Sequence, residues 1–310
     1  MRQKLFFPIS VLIVFLIPGL LYGAPRGPEI VMGGYSIFDG TMADMTYPQI
    51  EKAAKERAIV LFPVGVIEEH GPHLPLGVDT YGAYLRAKMI KGELEKKGIQ
   101  TLIVPPFYWG INNATGAFAG SFTVREETMM NVLWDTMACL KRWGFEKVFF
   151  INQHGDVDHH RPMFKAIQKA RADFGIRAYW IIEDDLAKRH GFTGREHYIL
   201  IYKQEPSPPP KYLDIHAGGA ETSIMWHYFP GLVDLEIWKT LKSTNLTFQD
   251  MMVWVRGWED ARKVTPQGYF GEVATASPEQ GKKLLEGYSK IVTELIESFL
   301  QGQYRPPEIK

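Results

Sequence analysis

The amino-acid sequence predicts an α/β protein, a three-layer α/β/α sandwich in which a mostly parallel sheet lies between two layers of helices. Short apolar segments alternate with longer amphipathic segments, and polar clusters directly follow two of the apolar segments. Such alternation is typical of βαβ units, whose right-handed crossovers place the loops after each strand on one edge of the sheet. Open α/β sheets bind their ligands at that edge, so we expect the functional site there.

Each element is predicted from its own pattern. The short apolar runs that predict strands are residues 59–66, 101–105, 147–152 and 177–182. The amphipathic segments that predict helices are residues 47–57, 81–97, 125–143, 162–174, 220–228, 248–263 and 278–302. Prolines at positions 206, 208, 209 and 210 exclude a helix or a central strand and predict a loop there.

The first 23 residues predict an export signal. Two basic residues precede an apolar run that ends at Gly23, which is the layout of a secretory signal peptide cleaved after that glycine. Leu21 is larger than the residue usual at this place and the run nearly spans a bilayer, so a retained anchor is the alternative. We expect a periplasmic or secreted protein, membrane-anchored if the segment is kept, with residues 24–310 as one domain.

The composition excludes several classes of function. Lysine and arginine together number 35, as do aspartate and glutamate, so no electrostatic signature of a nucleic-acid-binding protein is present. No G-x-G-x-x-G motif follows the first predicted strand, which disfavours nucleotide binding. The single cysteine, Cys139, lies among apolar residues of a predicted helix, and we expect a buried thiol rather than a nucleophile. A small-molecule partner is favoured.

The segment after the first predicted strand concentrates metal-binding groups. Glu68 and His70 are two residues apart, so in extended backbone their side chains project to the same side, and Glu69 points away. Glycines and prolines that follow indicate an irregular loop, which could turn Asp79 back toward the same point. Taken alone this pattern also fits solvated surface residues.

A second cluster repeats this arrangement after the third predicted strand. His154 and Asp156 again offer an imidazole and a carboxylate two residues apart. With Glu68, His70 and Asp79 they supply five ligands, which is too many for one tetrahedral zinc ion with an open position. The set suits two divalent ions that share a bridging carboxylate, and zinc and manganese match the ligand types.

A third cluster lies in the second half of the chain. His216 is presented on a glycine- and proline-rich loop, where a histidine has little packing role, so we expect it to be functional. Glu221 falls in the first turn of a predicted helix, where a carboxylate either stabilises the helix N-terminus or belongs to the site. Trp180 and Tyr212 could form an aromatic wall for a flat substrate, although core packing explains Trp180 equally well.

These segments, taken together, resemble the creatininase family. The run E-E-H-G-P-H-L-P-L-G-V-D at 68–79 is similar to the family signature E-Q-H-G-P-H-L-P-L with an aspartate shortly after. Residues 118–122, 152–156 and 216–223 are similar to its F-P-G-T, N-G-H and H-A-G-x-x-E-T-S segments. All four occur in the family's order, and that ordered set is specific where any one piece is not.

The resemblance implies a Rossmann-like sandwich, often a hexamer, with a two-metal centre that hydrolyses amide or cyclic amide C–N bonds. By position, Glu68 and His70 would bind different ions and Asp79 would bridge them. His154 would complete the first site and Asp156 the second. The implied partner is a small amide substrate, and the implied assembly is a homo-oligomer.

The same resemblance assigns His216 as the catalytic histidine, and the chain departs from the family pattern in three places. Glu69 replaces the usual Gln, Gln153 replaces Gly, and Asp156 replaces a Glu. If the shorter Asp156 does not reach its ion, Glu221 is the reserve ligand. A formamide hydrolase, a metallopeptidase on the same site, and an exported metal-binding protein without catalysis remain the alternatives.

Overall fold

The structure is a computed structural model that describes residues 35–203 and 212–307. The predicted export signal, residues 1–23, and the predicted proline loop, residues 206–210, lie outside the described residues. Among the helices of the described ranges, none is both long and apolar enough to cross a bilayer.

The chain divides into the units Met1–Tyr35 and Ser36–Lys310, and the second unit is built on a five-stranded parallel sheet. The strands are β1 (Ile59–Val64), β2 (Thr101–Ile103), β3 (Lys147–Asn152), β4 (Arg177–Glu183) and β5 (Ile199–Tyr202). Their order across the sheet is β2-β1-β3-β4-β5. Helices flank this sheet, so the predicted α/β class is confirmed.

The described ranges contain ten α-helices, numbered in chain order. They are α1 (Tyr47–Lys55), α2 (Val78–Lys96), α3 (Glu126–Arg142), α4 (Val157–Phe174), α5 (Asp184–Arg189), α6 (Gly219–Tyr228), α7 (Leu235–Trp238), α8 (Phe248–Trp254), α9 (Trp258–Val264) and α10 (Pro278–Leu300). Three short 3-10 turns, at Met42–Asp44, Pro230–Leu232 and Val273–Thr275, complete the regular structure of the described ranges.

Alternate strand residues face two separate apolar layers. Phe62 and Phe150 pack with residues of α3 and α4 on one face of the sheet. Leu61, Phe149 and Ile151 pack with residues of α2 and α10 on the other face. Because both faces are covered, the strands are almost continuously apolar, which is why short apolar runs predicted them correctly.

The strand order reverses at β1. β2 pairs with one side of β1 and β3 pairs with the other, so the crossovers that leave β1 and β3 diverge. In open parallel sheets this divergence creates a crevice beyond the carboxyl ends of the two strands. The segments after β1 and β3 are those that carry the predicted metal ligands, so the topology brings the two clusters to one place.

Some element boundaries differ from the sequence prediction. Helix α4 begins at Val157, five residues before the predicted start, and Pro162 lies inside it. The predicted helix 248–263 is two helices, α8 and α9, because positive φ values of +80° at Gly257 and +51° at Trp258, the first residue of α9, interrupt the helical backbone. Strand β5 and helix α5 were not predicted, and Cys139 is half-buried rather than fully buried.

Gly65 lets helix α2 begin directly against the end of β1. A Cβ atom at this position would lie 2.8 Å from the backbone carbonyl carbon and oxygen of Asp79. The Thr80 hydroxyl donates a hydrogen bond of 2.9 Å to the Val66 carbonyl at the same contact. The close approach places the first turn of α2, with Asp79, beside the residues that follow β1.

We expect Gly65→Ala to lower the free energy of unfolding by about 1–3 kcal/mol, because backbone must move to admit the methyl group. Gly92→Ala, in the middle of α2, is the matched control, since a Cβ there meets nothing within 4 Å. The control should gain roughly 0.5–1 kcal/mol from helix propensity. Urea unfolding measures both, and equal midpoints for Gly65→Ala and the wild type would contradict the tight contact.

Candidate metal centre

Six acidic and imidazole side chains converge at the crevice beyond β1 and β3. They come from the segment after β1, the first turn of α2, the segment after β3, and α6 with the loop before it. The members of this acid–histidine cluster are Glu68, His70, Asp79, His154, His216 and Glu221. The first five are buried and Glu221 is partly exposed. The structure therefore brings together groups from three separate sequence clusters.

Two sets of potential metal ligands share Asp79. In the Glu68 set, His154 Nδ1 lies 3.0 Å from Glu68 Oε1 and 3.0 Å from Asp79 Oδ2. In the His70 set, His70 Nε2 lies 3.7 Å from Asp79 Oδ1 and 3.7 Å from Glu221 Oε2. The ligand atoms of each set lie within 4.8 Å of one another. Each set offers two carboxylates and one imidazole, with the Asp79 carboxylate common to both.

Backbone carbonyls determine which nitrogen of each imidazole faces the cluster. The bonds run from His70 Nδ1 to Glu68 O at 3.1 Å, from His154 Nε2 to Ile111 O at 3.0 Å, and from His216 Nε2 to Glu69 O at 2.8 Å. A carbonyl only accepts, so each of these nitrogens carries the proton. The other nitrogen of each neutral ring then directs a lone pair at the cluster, which is how metal-binding histidines are usually oriented.

The carboxylates are also held in place. The Thr115 hydroxyl donates to Glu68 Oε2, and the Ala217 backbone N–H donates to Glu221 Oε2 at 2.6 Å. His70 Nε2 and Asp79 Oδ2 are buried without any hydrogen-bond partner among the described residues. Buried polar atoms normally have partners, and a cation is one that both of these atoms could share. The residues present thus fit a pair of divalent ions with nitrogen and oxygen ligands.

The charges inside the cluster are strongly coupled. Burial disfavours the charge on His70, but its contacts with Asp79 and the charge of Glu221 prevail and raise its pKa to about 10. Burial likewise opposes ionisation of Asp79, yet the close contacts with His154 and His70 and the charges of these rings hold its pKa well below the usual value. Burial raises the pKa of Glu221. Without a metal ion, the imidazoles therefore take up protons to offset the buried carboxylates.

An exposed carboxylate outside the cluster, that of Asp214, positions helix α6. The Asp214 side chain accepts hydrogen bonds of 2.9–3.0 Å from the backbone N–H groups of Gly219, Ala220 and Glu272. Three such donors neutralise much of the carboxylate charge and fix the start of the helix. His216 is held just before that start, because its backbone exchanges hydrogen bonds with Phe270. Together these contacts set the distance of α6 from the segment after β1.

Asp156, expected from the sequence to complete the second metal site, is not part of the acid–histidine cluster. Its Oδ1 accepts from the Asp158 backbone N–H at 2.8 Å, and its Oδ2 accepts from the Asn113 backbone N–H at 2.7 Å. The carboxylate therefore caps the N-terminus of α4 and fastens a neighbouring loop. Glu221, named as the reserve ligand, is the carboxylate that lies beside His70.

Glu69 does not point away from the site, contrary to the expectation from strand geometry. Strand β1 ends at Val64, so the side-chain alternation of a strand need not extend to Glu69, whose carboxylate is buried with Oε1 3.4 Å from His216 Nε2. Burial and the charge of His70 disfavour a charged His216, but its hydrogen bond to Glu69 and the charges of Glu68 and Glu69 raise its pKa overall. A carboxylate thus supports the proton on the outer nitrogen of this histidine.

A cavity of about 370 Å³ gives access to the cluster. Trp254 of α8 lines it, with its ring centroid 5.7 Å from that of His216. Trp180 is only 1% exposed and packs with His160 and Phe192, and it also contributes to the wall of a neighbouring cavity, so both interpretations keep an observation. Tyr212 is not among the described residues that line this cavity. Sequence reasoning did not identify Trp254, which packs beside the predicted catalytic histidine.

Comparison with known proteins agrees with the geometry. The family described as creatinine amidohydrolase, or creatininase, matches residues 43–296, so the chain belongs to the creatininase family. It is 27% identical over 284 residues to a 3-dehydro-scyllo-inosose hydrolase of Thermotoga maritima, with 86% of each chain covered. It is 26% identical over 231 residues to a mycofactocin precursor peptide peptidase of Mycobacterium ulcerans, covering 73% of this chain and 79% of the other.

The fold is likewise that of solved creatininases. A creatininase mutant of Zn–Zn type superposes with a TM-score of 0.64 at 19% sequence identity, covering 86% of this chain and 98% of the other. Identity this low supports the shared fold alone. Together with the family match, the fold identifies the chain as a member of a family of hydrolases.

We expect Asp156→Ala to destabilise the protein without removing a metal ion. Loss of the α4 cap should lower the free energy of unfolding by about 1–2 kcal/mol. The metal content after dialysis against zinc should equal that of the wild type, because the Asp156 oxygens are bonded to backbone amides. Urea unfolding and elemental analysis give the two values. Loss of one ion per chain would instead show that Asp156 is a ligand of the second metal site.

Proposed function

We propose that this protein is a two-metal amidohydrolase that cleaves the C–N bond of a small or cyclic amide. The observation that carries the proposal is the pair of ligand sets joined at Asp79. Many hydrolytic centres hold two metal ions close enough together for one carboxylate to bridge them. The Zn–Zn type of the structurally similar creatininase supports zinc, and the ligand types admit manganese as well.

Each ligand has a proposed place. Glu68, Asp79 and His154 would hold one ion, while His70, Asp79 and Glu221 would hold the other. The bound ions would supply a nucleophilic water and polarise the substrate carbonyl. Glu221 thereby takes the ligand position that the resemblance gave to Asp156, and its partial exposure puts it at the substrate side of the cluster.

His216 is proposed to deliver the proton that the leaving nitrogen needs. Its Nδ1 faces the cluster, 3.9 Å from Glu68 Oε1, while its Nε2 is fixed by the Glu69 carbonyl. The Glu69 carboxylate beside Nε2 stabilises the protonated ring. Amide cleavage expels a poor leaving group, so an acid at this position would accelerate C–N cleavage. The Trp254 ring behind His216 would keep the imidazole in this orientation.

A peptide substrate is the second candidate on the same centre. It is supported by the similarity to a mycofactocin precursor peptide peptidase and by the cavity of about 370 Å³. An exported metal-binding protein without catalysis would contain the same ions and hydrolyse neither class. Export, inferred from residues 1–23, and a homo-oligomeric assembly remain part of the proposal. Hydrolysis assays on purified metal-loaded protein with cyclic amides, formamides and short peptides separate these candidates.

We expect Asp79→Asn to remove both ions, because the neutral amide cannot bridge two cations. Elemental analysis should fall from two ions per chain to less than one, and hydrolysis should fall by roughly 10³-fold or more, as for other essential groups. Asp173→Asn is the matched control, since Asp173 pairs with Lys169 near the C-terminal end of α4 and belongs to neither ligand set. Two retained ions in Asp79→Asn would refute the shared-carboxylate arrangement.

We expect His216→Ala to lower kcat by roughly 10²–10⁴-fold while both ions stay bound, because the change removes a proton donor and leaves both ligand sets intact. His227→Ala, on the last turn of α6, serves as the control substitution. Steady-state kinetics and elemental analysis are measured on the same preparations. Unchanged kcat would exclude His216 as the acid, and loss of an ion would make it a ligand.

A further inference from the structure

A second cavity, of about 340 Å³, adjoins the acid–histidine cluster and extends over the carboxyl ends of β4 and β5. It shares His154, His216 and Glu221 with the first cavity, so a molecule bound in it could reach the cluster. Its wall also includes Arg86 from α2 and Tyr288 from α10. Of the first two sequence clusters, only residues 152–155 contribute to this wall.

Arg86 is an oriented cation in this wall. Its guanidinium carbon lies 4.2 Å from the Tyr288 ring centroid, and this stacking fixes the plane of the group. Its Nε is buried and has no hydrogen-bond partner among the described residues. Arginine stays charged in proteins, so an unmet donor on a fixed guanidinium is suited to a carboxylate, which it can bind through two parallel hydrogen bonds.

Gln153 offers an unmet acceptor in the same wall. Its Oε1 is buried without a hydrogen-bond partner among the described residues, and Gln153 directly precedes His154. Gly82 of α2 leaves room for this side chain, since a Cβ on Gly82 would come within 3.1 Å of Oε1. An acceptor and a cationic donor in one cavity fit a ligand that carries both an N–H group and a carboxylate.

The carboxylates of this wall have other roles. Asp214 accepts three backbone N–H groups, and Glu221 faces His70. Burial raises the pKa of Glu183, and the charges of Arg189 and Arg86 act in the opposite direction. Arg86 and Arg189 both act on Glu183, so this one wall carboxylate faces two cationic side chains.

We propose that Arg86 and Gln153 form a subsite that selects amides whose nitrogen substituent bears a carboxylate, such as N-acyl amino acids. Arg86 binds the carboxylate and Gln153 Oε1 accepts the amide N–H, while the acyl carbonyl lies toward the cluster. Water adds across the C–N bond, giving a carboxylic acid and a free amino acid. The inference rests on the proposed amidohydrolase function, which supplies the hydrolytic step.

The test compares matched substrate pairs on the full-length, zinc-loaded protein. The pairs are the N-acetyl derivatives of glycine, β-alanine and γ-aminobutyric acid, each with its carboxamide, so the spacer between amide and carboxylate varies. For at least one spacer, kcat/KM should be roughly ten- to a hundredfold higher for the carboxylate, the range expected of a charge-assisted contact. Arg86→Met should abolish this preference, and Arg86→Lys should retain part of it.

Arg161→Met is the matched control, because Arg161 pairs with Asp158 on the surface of α4 and lines neither cavity. It should keep the wild-type preference. The ratio of rates within a pair does not depend on the amount of active protein, and circular dichroism and metal content confirm that the variants are folded and loaded. Hydrolysis of both members at equal rates by wild type would overturn the subsite and leave the amidohydrolase function standing.

A binding measurement decides the case in which no amide is hydrolysed and the proposed function fails. Calorimetry with the same N-acetyl pairs should then give tighter binding of the carboxylate to wild type than to Arg86→Met, by roughly tenfold or more. The carboxamides should bind the two proteins equally. Equal binding of the carboxylate to both proteins would overturn the subsite.

Discussion

The anchoring of three imidazoles by backbone carbonyls is the constraint on which the candidate centre depends. An imidazole with a free outer nitrogen can exchange tautomers and rotate, and it then presents a proton as often as a lone pair. Here the carbonyls of Glu68, Glu69 and Ile111 fix the rings. Two of these carbonyls belong to the segment that also supplies ligands. The backbone after β1 therefore determines both the position of ligands and their direction.

The second constraint is the concentration of negative charge. The Asp79 carboxylate of α2 shares one ligand set with Glu68, from the segment after β1, and another with Glu221 of α6. Burying such charges is unfavourable unless cations or protons accompany them, so the cluster does not stabilise the fold by itself. The sheet, covered on both faces by apolar layers, supplies the stability that this arrangement lacks. A metal ion and a proton compete for the same nitrogen lone pairs.

Sequence patterns located much of the fold and of the centre, for identifiable reasons. Glu68, His70 and His154 lie just past strands whose apolar runs were unambiguous, and parallel topology brings the ends of such strands to one edge. Asp79 was predicted to return to the same point, and Gly65 explains how α2 comes close enough for it to do so. Strand β5, Ile199–Tyr202, escaped prediction because only the six-residue helix α5 separates it from β4, so the alternation of strands with long amphipathic helices is not apparent there.

The choice between Asp156 and Glu221 could not be made from sequence. A carboxylate at a loop–helix junction fits a helix cap and a metal ligand equally well, and the outcome depends on where the helix starts and what amides lie opposite. At Asp156 those amides belong to Asp158 and Asn113, and the second is 43 positions away in the chain. Trp254 was missed for a related reason. A helix was expected there, but its packing over His216 is a tertiary contact.

Glu221, as a proposed metal ligand, would tie two parts of the molecule together. The His70 set joins the segment after β1 to α6, which otherwise packs mainly with α10 and with the apolar cluster around Phe229. An ion in that set would be a non-covalent cross-link between the segment after β1 and the C-terminal helical region that contains α6 and α10. Local opening of the C-terminal region would then require release of the ion. The equilibrium of this opening would therefore depend on the concentration of free zinc.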